Sequence, residues 1–288
     1  MALITGTMAN FVPEIWSKKL QTRFYASTVL SEVTNNDYEG EIRNAGDKVN
    51  IRIPPAIAVS DYDPMNPSIT YEALGENTLE LLVDKAKSYA FKVDDVLGAQ
   101  SDIALINEAT QDAAEKMKIA IDTEVLAGMA TSATSSLNVT DVGSYTAVTK
   151  DNILELILAA GQKLDELNVP ETGRFIVLPP SAITALKSSD LKDASLAGDS
   201  QSILRNGRVG QIDRFTVYSS NLLPANSASE KIAVAGTKAF MSFASQFVKT
   251  ETIRLESQFG DGVRGLQVYG FKAVHPDAGV AVTLGDGS

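Results

Sequence analysis

The sequence predicts an α+β fold in which one long helix joins a projecting β-hairpin to a compact α/β unit. Three patterns carry that prediction. Residues 78–93, TLELLVDKAKSYAFKV, alternate apolar and polar for 16 positions, well beyond an ordinary strand. Residues 94–130 then hold one unbroken helical pattern. Strand patterning returns in the last fifty residues, after a middle segment that mixes helix and strand signals.

Residues 1–10 are small and polar and show no core pattern. In VPEIWSKKLQTRFYASTVL, Pro13 suits the first turn of a helix. Val12, Trp16, Leu20 and Phe24 recur every four residues as an apolar stripe, with Lys18, Lys19 and Arg23 off it. Such a helix packs either on its own domain or, as an arm, on a neighbouring subunit, and periodicity does not separate the two. Asn44-Ala45-Gly46-Asp47 reads as a turn. Val49, Ile51 and Ile53 alternate with Asn50 and Arg52, as in a half-buried strand. A loop punctuated by Pro54, Pro55, Pro64 and Pro67 leads into the long alternating run. There Leu79, Leu81, Val83, Tyr89, Phe91 and Val93 share one face, interrupted by Lys85 and Lys87. As one strand the run spans about 50 Å, so its tip projects from the body, and its edges need a partner to cover them. The other reading is two shorter strands joined by a bulge in an ordinary sheet.

Asp94, Asp95, Ser101 and Asp102 favour a helix start. Ile103, Ile106, Ala113, Met117, Ile121 and Val125 continue at helical spacing for about 45 Å, without a heptad seam. TSATSSLNVTDVGSYTAVT reads as a polar linker. Residues 150–167 form a helix with Ile153, Leu156, Ile157, Ala160 and Leu164 on one face, ended by Asn168-Val169-Pro170. RFIVLPP is a short buried strand, and Ser181 caps the helix after it. Residues 191–207 are Ser- and Gly-rich and read as a surface loop. Phe215 and Val217 open a strand, and 231–235 is another. The final strand signals are Ile253 and Leu255, then Leu266, Val268 and Phe271, then Val280 and Val282. These are expected to complete the sheet beside the long helix, so that 150–235 is an insertion. The division is then 1–35 arm, 36–93 extended hairpin loop, 94–149 with 236–288 one domain, and 150–235 the inserted one.

Composition narrows function. The 288 residues include 36 acidic and 25 basic side chains, for a net charge of -11. Wrapping nucleic acid needs clustered Lys and Arg, so direct phosphate gripping is disfavoured. There is no Cys, which excludes disulfides, thiolate zinc and a cysteine nucleophile, and a single His excludes a multi-histidine metal site. No apolar run reaches the ~20 residues that cross a bilayer, and MALITGTMAN lacks the form of a secretory signal. Gly260, Gly262 and Gly265 match G-x-G-x-x-G, but a strand pattern follows where that dinucleotide fingerprint requires a helix, so a turn between strands is the better reading. Ser189 and Lys192 match S-x-x-K without the elements that accompany it in serine acylases. His275 has no companion at ligand spacing, and Asp61 and Asp63 begin a calcium loop that is not completed. No catalytic, cofactor or metal site is expected.

Several stretches carry a resemblance. FVPEIWSKKLQTRFYASTVLSEVTNNDYEGEIRNAGDKVNIRIPP is similar to the N-terminal arm and extended loop of the tailed-bacteriophage major capsid proteins of Hong Kong 97-type fold. NGRVGQIDRFTVYSSNLLP resembles a strand of that family's axial domain. IAVAGTKAFMSFASQ and FGDGVRGLQVYGFKAVHPDAGVAV resemble its C-terminal peripheral-domain strands. The resemblance covers nearly the whole chain and implies a shell protein, built into hexamers and pentamers around double-stranded DNA without sequence-specific binding. Portal, scaffolding and decoration proteins would be its partners. It would reside in the virion capsid, and in the bacterial host cytoplasm during assembly. Assembly contacts are then expected from Trp16, Leu20 and Phe24 in the arm, from Arg43, Lys48, Arg52, Lys85 and Lys87 in the hairpin region, and from Gly207, Gly210 and Asp213 in the axial strand. The arm begins by about residue 11, so scaffolding would be a separate protein or the chain would already be mature. Some relatives crosslink a hairpin Lys to a neighbour's Asn; no Asn and carboxylate partner is matched here, so that chemistry is not carried over. The rivals are an encapsulin-like nanocompartment shell, an acidic α+β enzyme, and an adhesive or surface-layer protein.

Overall fold

The computed structural model describes residues 28–38, 48–53, 77–94, 104–143, 147–189, 208–227, 230–255 and 260–285, together with 26, 57, 59 and 65. The arm stripe, the turn at 44–47, the proline loop except for those isolated residues, and the loop at 191–207 fall outside them. The described chain begins with a single helical turn, α1 (Leu30–Val33), followed by β1 (Lys48–Ile53), β2 (Asn77–Leu82) and β3 (Lys85–Asp94). The long helix α2 (Ala104–Ser132) precedes β4 (Ser135–Asn138), α3 (Ile153–Glu166), β5 (Arg174–Leu178) and α4 (Pro180–Ser188). Then come β6 (Arg208–Ile212), β7 (Phe215–Ser219), β8 (Ala225–Ser227), β9 (Glu230–Thr237), β10 (Met241–Arg254), β11 (Gly260–Ala273) and β12 (Gly279–Gly285).

The alternating run at 78–93 is two strands in two different sheets. β1 and β2 form an antiparallel ribbon in which Val49 faces Leu81 and Ile51 faces Leu79. At Val83 and Asp84 the chain leaves that ribbon, and β3 joins a separate sheet in the order β10-β11-β3. Alternation continues across the break because both sheets bury one face: Leu81 and Val83 enter a small core with Val49, Ile51 and Ala244. Period 2 reports burial of one face but carries no pairing information. Among the described residues the longest strands are instead β10 and β11, 14 residues each and about 46 Å long. An irregularity in β10 between Ser245 and Val248 masks its alternation. Gly260, Gly262 and Gly265 lie inside β11 rather than in a turn.

The remaining strands form a seven-stranded sheet, ordered β4-β12-β9-β5-β7-β6, with β8 also on β9. This corrects the expected place of the last strand. β11 and β12 both pack on α2, but β12 belongs to the other sheet, where it pairs antiparallel with β9 and parallel with β4. β4 itself arises from the stretch read as linker. Leu137 and Val139 are buried there, but four residues are too few to display a period. α2 spans 29 residues, about 44 Å, and buries Met117, Ile121, Val125, Leu126 and Met129. These share one core with Phe243 and Tyr269 of the three-stranded sheet and with Ile176, Val234 and Val280 of the seven-stranded one, so the helix serves both sheets.

Local signals explain the ends of the shorter helices. α4 starts with Pro180 at its first position, so Ser181 is already inside the helix and does not cap it. Asn152, fully buried, precedes α3, where its Oδ1 accepts the Thr149 N–H at 2.7 Å. α3 closes in a Schellman arrangement: Val169 N–H donates to the Leu164 carbonyl at 3.0 Å and Asn168 N–H to Asp165 at 2.9 Å, with Asn168 at φ 57°. Asn168→Gly should be neutral, whereas Asn168→Ala should cost about 1 kcal/mol, measured as a shift in the urea midpoint.

Candidate assembly surfaces

The β1–β2 ribbon pairs with no third strand among the described residues. Its inner face is covered by the small core, and its outer face carries Lys48, Asn50, Arg52, Thr78, Glu80 and Leu82. Lys48 Nζ reaches Glu80 Oε1 across the ribbon at 2.5 Å, and Arg52 is exposed. Beyond β1, Ile57, Val59 and Met65 are 71, 97 and 93% exposed, and Leu82 is 49% exposed. A two-stranded ribbon is marginal by itself in water, and these apolar groups and open edges offer a surface to cover.

Lys85 and Lys87 do not reach outward. They lie two apart on β3, facing α2, and both grip Glu124. Lys85 Nζ is 2.6 Å from Oε1 and Lys87 Nζ is 3.0 Å from Oε2. Tyr269, opposite Lys85 on β11, donates its hydroxyl to Glu124 Oε2 at 2.5 Å. The Lys85 ammonium also sits 4.1 Å from the centre of the Phe271 ring. Burial pushes the Glu124 carboxyl up, but Lys85, Tyr269 and Lys87 outweigh it and hold it down to about 2. Burial first, and then the Glu124 carboxylate, raise the Tyr269 hydroxyl above the ordinary tyrosine range. The cluster fastens the root of the hairpin to the long helix.

Two residues before Glu124, Asp122 fastens the N-terminal segment. It is fully buried, and its Oδ2 accepts the Val29 N–H at 3.3 Å just before α1, while Oδ1 has no partner. Burial dominates the weaker backbone contacts from Val29 and Leu30 and pushes the carboxyl up to about 6 from 3.8. With its folded value above its unfolded one, this group's stabilisation is full below about pH 3.8 and is lost as pH rises through about 6. Asp122→Asn removes that ionisation. The stability of Asp122→Asn relative to wild type should therefore rise between about pH 4 and pH 7 in thermal melts.

Gly210 and Asp213 shape the β6–β7 hairpin. Gly210 has φ 139°, where the ladder slips between Arg208 and Gly210, and Asp213 takes φ 53° in the two-residue turn. The other residue of this turn, Arg214, binds both oxygens of Asp165, at 3.1 and 2.8 Å, and lies 3.0 Å from Glu171. Asp165 also accepts from Arg174 at 2.7 Å. Arg214 foremost, and then Arg174, hold the Asp165 carboxyl below its usual range. Trp16, Leu20, Phe24, Arg43 and Gly207 lie outside the described residues. Sequence reasoning missed Glu124, Asp122, Asp165 and Arg174. Only Arg174 carried a signal: it heads a strand whose five residues are all buried.

The S-x-x-K serine is otherwise engaged, since the buried Ser189 hydroxyl donates to the Leu186 carbonyl at 2.6 Å. His275 is exposed at the start of a short 3-10 turn. No group of three or more potential metal ligands occurs among the described residues.

A separate two-stranded ribbon, a spine helix under a long-stranded sheet, and a seven-stranded α/β unit sharing that helix are the parts of a Hong Kong 97-type capsid subunit. Solved structures repeat the arrangement over nearly the whole chain. One from Mycobacterium phage Che8 is 28% identical with a TM-score of 0.80, covering 96% of this chain and 98% of that one. The capsid of cyanophage P-SCSP1u is 15% identical with a TM-score of 0.75, covering 98% and 96%. The cyanophage Pam1 capsid is 12% identical with a TM-score of 0.71, covering 98% and 99%. Comparison with curated proteins gives no match. The family described as phage capsid protein matches residues 76–285, and this chain belongs to it, as a major capsid protein whose copies assemble into a shell.

Proposed function

We propose that the subunit builds its shell by overlap rather than by chemistry, and that it has no catalytic role. The observation that carries this reading is the β1–β2 ribbon, anchored at its root and apolar beyond it. In this reading residues 1–35 act as the arm, with Trp16, Leu20 and Phe24 docking on a neighbour. Residues 36–93 act as the extended loop, with Arg43, Lys48 and Arg52 meeting the next subunit. Lys85 and Lys87 act indirectly, by holding the loop's root on Glu124. The three-stranded sheet with α2 acts as the peripheral domain. The seven-stranded sheet, which adds β4 and β12 to the strands of 150–235, acts as the axial domain. Its β6–β7 hairpin with Gly210 and Asp213 lies near the ring centre of hexamers and pentamers, with Gly207 in the segment leading into it by sequence. Each subunit then touches several others, and weak contacts become collectively strong through effective concentration. Portal, scaffolding and decoration proteins complete the particle, assembly runs in the bacterial cytoplasm, and the shell encloses double-stranded DNA. A wall with net charge -11 leaves packaged phosphate ungripped. Replacing residues 54–76 by a short Gly-rich turn tests the overlap: folded subunits should remain but closed shells should be lost on negative-stain grids. Normal shells from that variant would overturn the reading.

A further inference from the structure

The hairpin's root crosses the three-stranded sheet at one spot. Ala244 of β10 and Gly270 of β11 are register partners, and both are buried. The residues next to them, Phe243 and Tyr269, point the other way into the main core, with ring centroids 6.1 Å apart. On the opposite face, the pair of small residues receives the chain where β2 ends and β3 begins. A Cβ added at Gly270 would collide with the Leu82 carbonyl oxygen. It would also stand 2.9 Å from the Leu82 carbonyl carbon and 3.0 Å from Val83 Cα. These are backbone atoms, so a side chain at 270 has no flexible tip to displace, and the crossing chain itself must lift. Around the seat, the small core of Val49, Ile51, Leu81 and Val83 ties the ribbon to Ala244.

We infer that Gly270, with Ala244, is the positioning site that sets the hairpin's angle to the subunit body, and through it the curvature of the shell. This rests on the shell reading above. The ribbon works as a lever. Six-residue strands extend about 20 Å, so a tilt of about 10° at the seat moves the far end by about 3.5 Å, close to the rise of one residue along a strand. Contacts that the hairpin makes with a neighbour are then displaced in the same sense in every copy, and the closure angle of the assembly changes.

The test compares wild type, Gly270→Ala and Gly262→Ala, assembled identically, by cryo-electron microscopy diameters and light-scattering mass. Gly262 lies in the same strand, but a Cβ there would come nearest to the flexible tip of Leu255, at 3.3 Å, and would stand at an ordinary 3.6 Å from the Ile253 carbonyl oxygen. Gly262→Ala should keep the wild-type diameter. Gly270→Ala should yield folded subunits that lose the wild-type diameter class, giving shells of altered size or open sheets. Wild-type diameter and yield from Gly270→Ala would overturn the inference, as would the same diameter change in Gly262→Ala. Should Gly270→Ala fail to fold, Ala244→Gly decides: it deepens the seat without a collision and should broaden the diameter distribution, and an unchanged distribution would overturn the inference. Wild type that forms no shells would instead defeat the shell reading, and this inference with it.

Discussion

Arg174→Ala should lower folding stability by about 3–5 kcal/mol, the largest loss expected of any single side chain described above. The arginine is fully buried at the head of β5, with its guanidinium turned back under the α3–β5 connection. Its Nε donates to the Pro170 carbonyl at 3.0 Å, and Nη2 donates to Val169 at 2.5 Å and to Asp165 at 2.7 Å. Removing it leaves the buried Val169 carbonyl and the partly buried Pro170 carbonyl without that donor and opens a cavity beneath the Schellman turn. Arg174→Lys keeps the charge but loses the planar fork that reaches several acceptors at once, so it should cost nearly as much. Urea unfolding of the isolated subunit reads both. A loss under about 1 kcal/mol for Arg174→Ala would show that the fork is not what holds the connection.

Glu124→Ala should be the next most damaging change, costing about 2 kcal/mol. It strands Lys85 and Lys87 on β3 and the Tyr269 hydroxyl, which all meet on one carboxylate. The same site predicts a pH dependence. The carboxyl lies at about 2 in the folded chain against 4.5 in the ordinary state, so its stabilisation is present above about pH 4.5 and drains away as pH falls toward 2. Because the site is partly exposed, solvent screening leaves about 1–2 kcal/mol of that dependence. Asp122 works in the opposite direction, losing stabilisation as pH rises. Glu124→Gln should therefore flatten the acid limb of the stability profile while leaving the limb from about pH 4 to pH 7 in place. An unchanged acid limb would contradict the cluster's role.

Much of this was legible before any coordinates. Most of the helical pattern read at 94–130 is α2, described over Ala104–Ser132, because a helix serving two sheets must keep a continuous apolar stripe, and Met117, Ile121 and Val125 display it. Asp94, read as a helix start, instead ends β3. The hairpin at 48–82 was legible from Val49 and Ile51 alternating with polar residues. What was not legible is pairing. Val280 and Val282 show only that β12 is buried, and nothing local says that it joins β9 rather than β11. The break at Val83 and Asp84 was hidden because both flanking strands bury the same phase of residues. Lys85 and Lys87 stood out as interruptions of an apolar face, but their partner lies 39 residues beyond Lys85, one acid among 36 with no mark of its own. Arg174 was the recoverable omission, since a charged residue heading an apolar five-residue strand must find buried partners.

The most direct test of the account is the mass distribution of the purified protein by light scattering, with electron microscopy of the heaviest fraction. The account predicts closed shells or discrete rings in equilibrium with subunits, lost together on dilution. A homogeneous monomer of 30.7 kDa that persists at high concentration with scaffold supplied would contradict it.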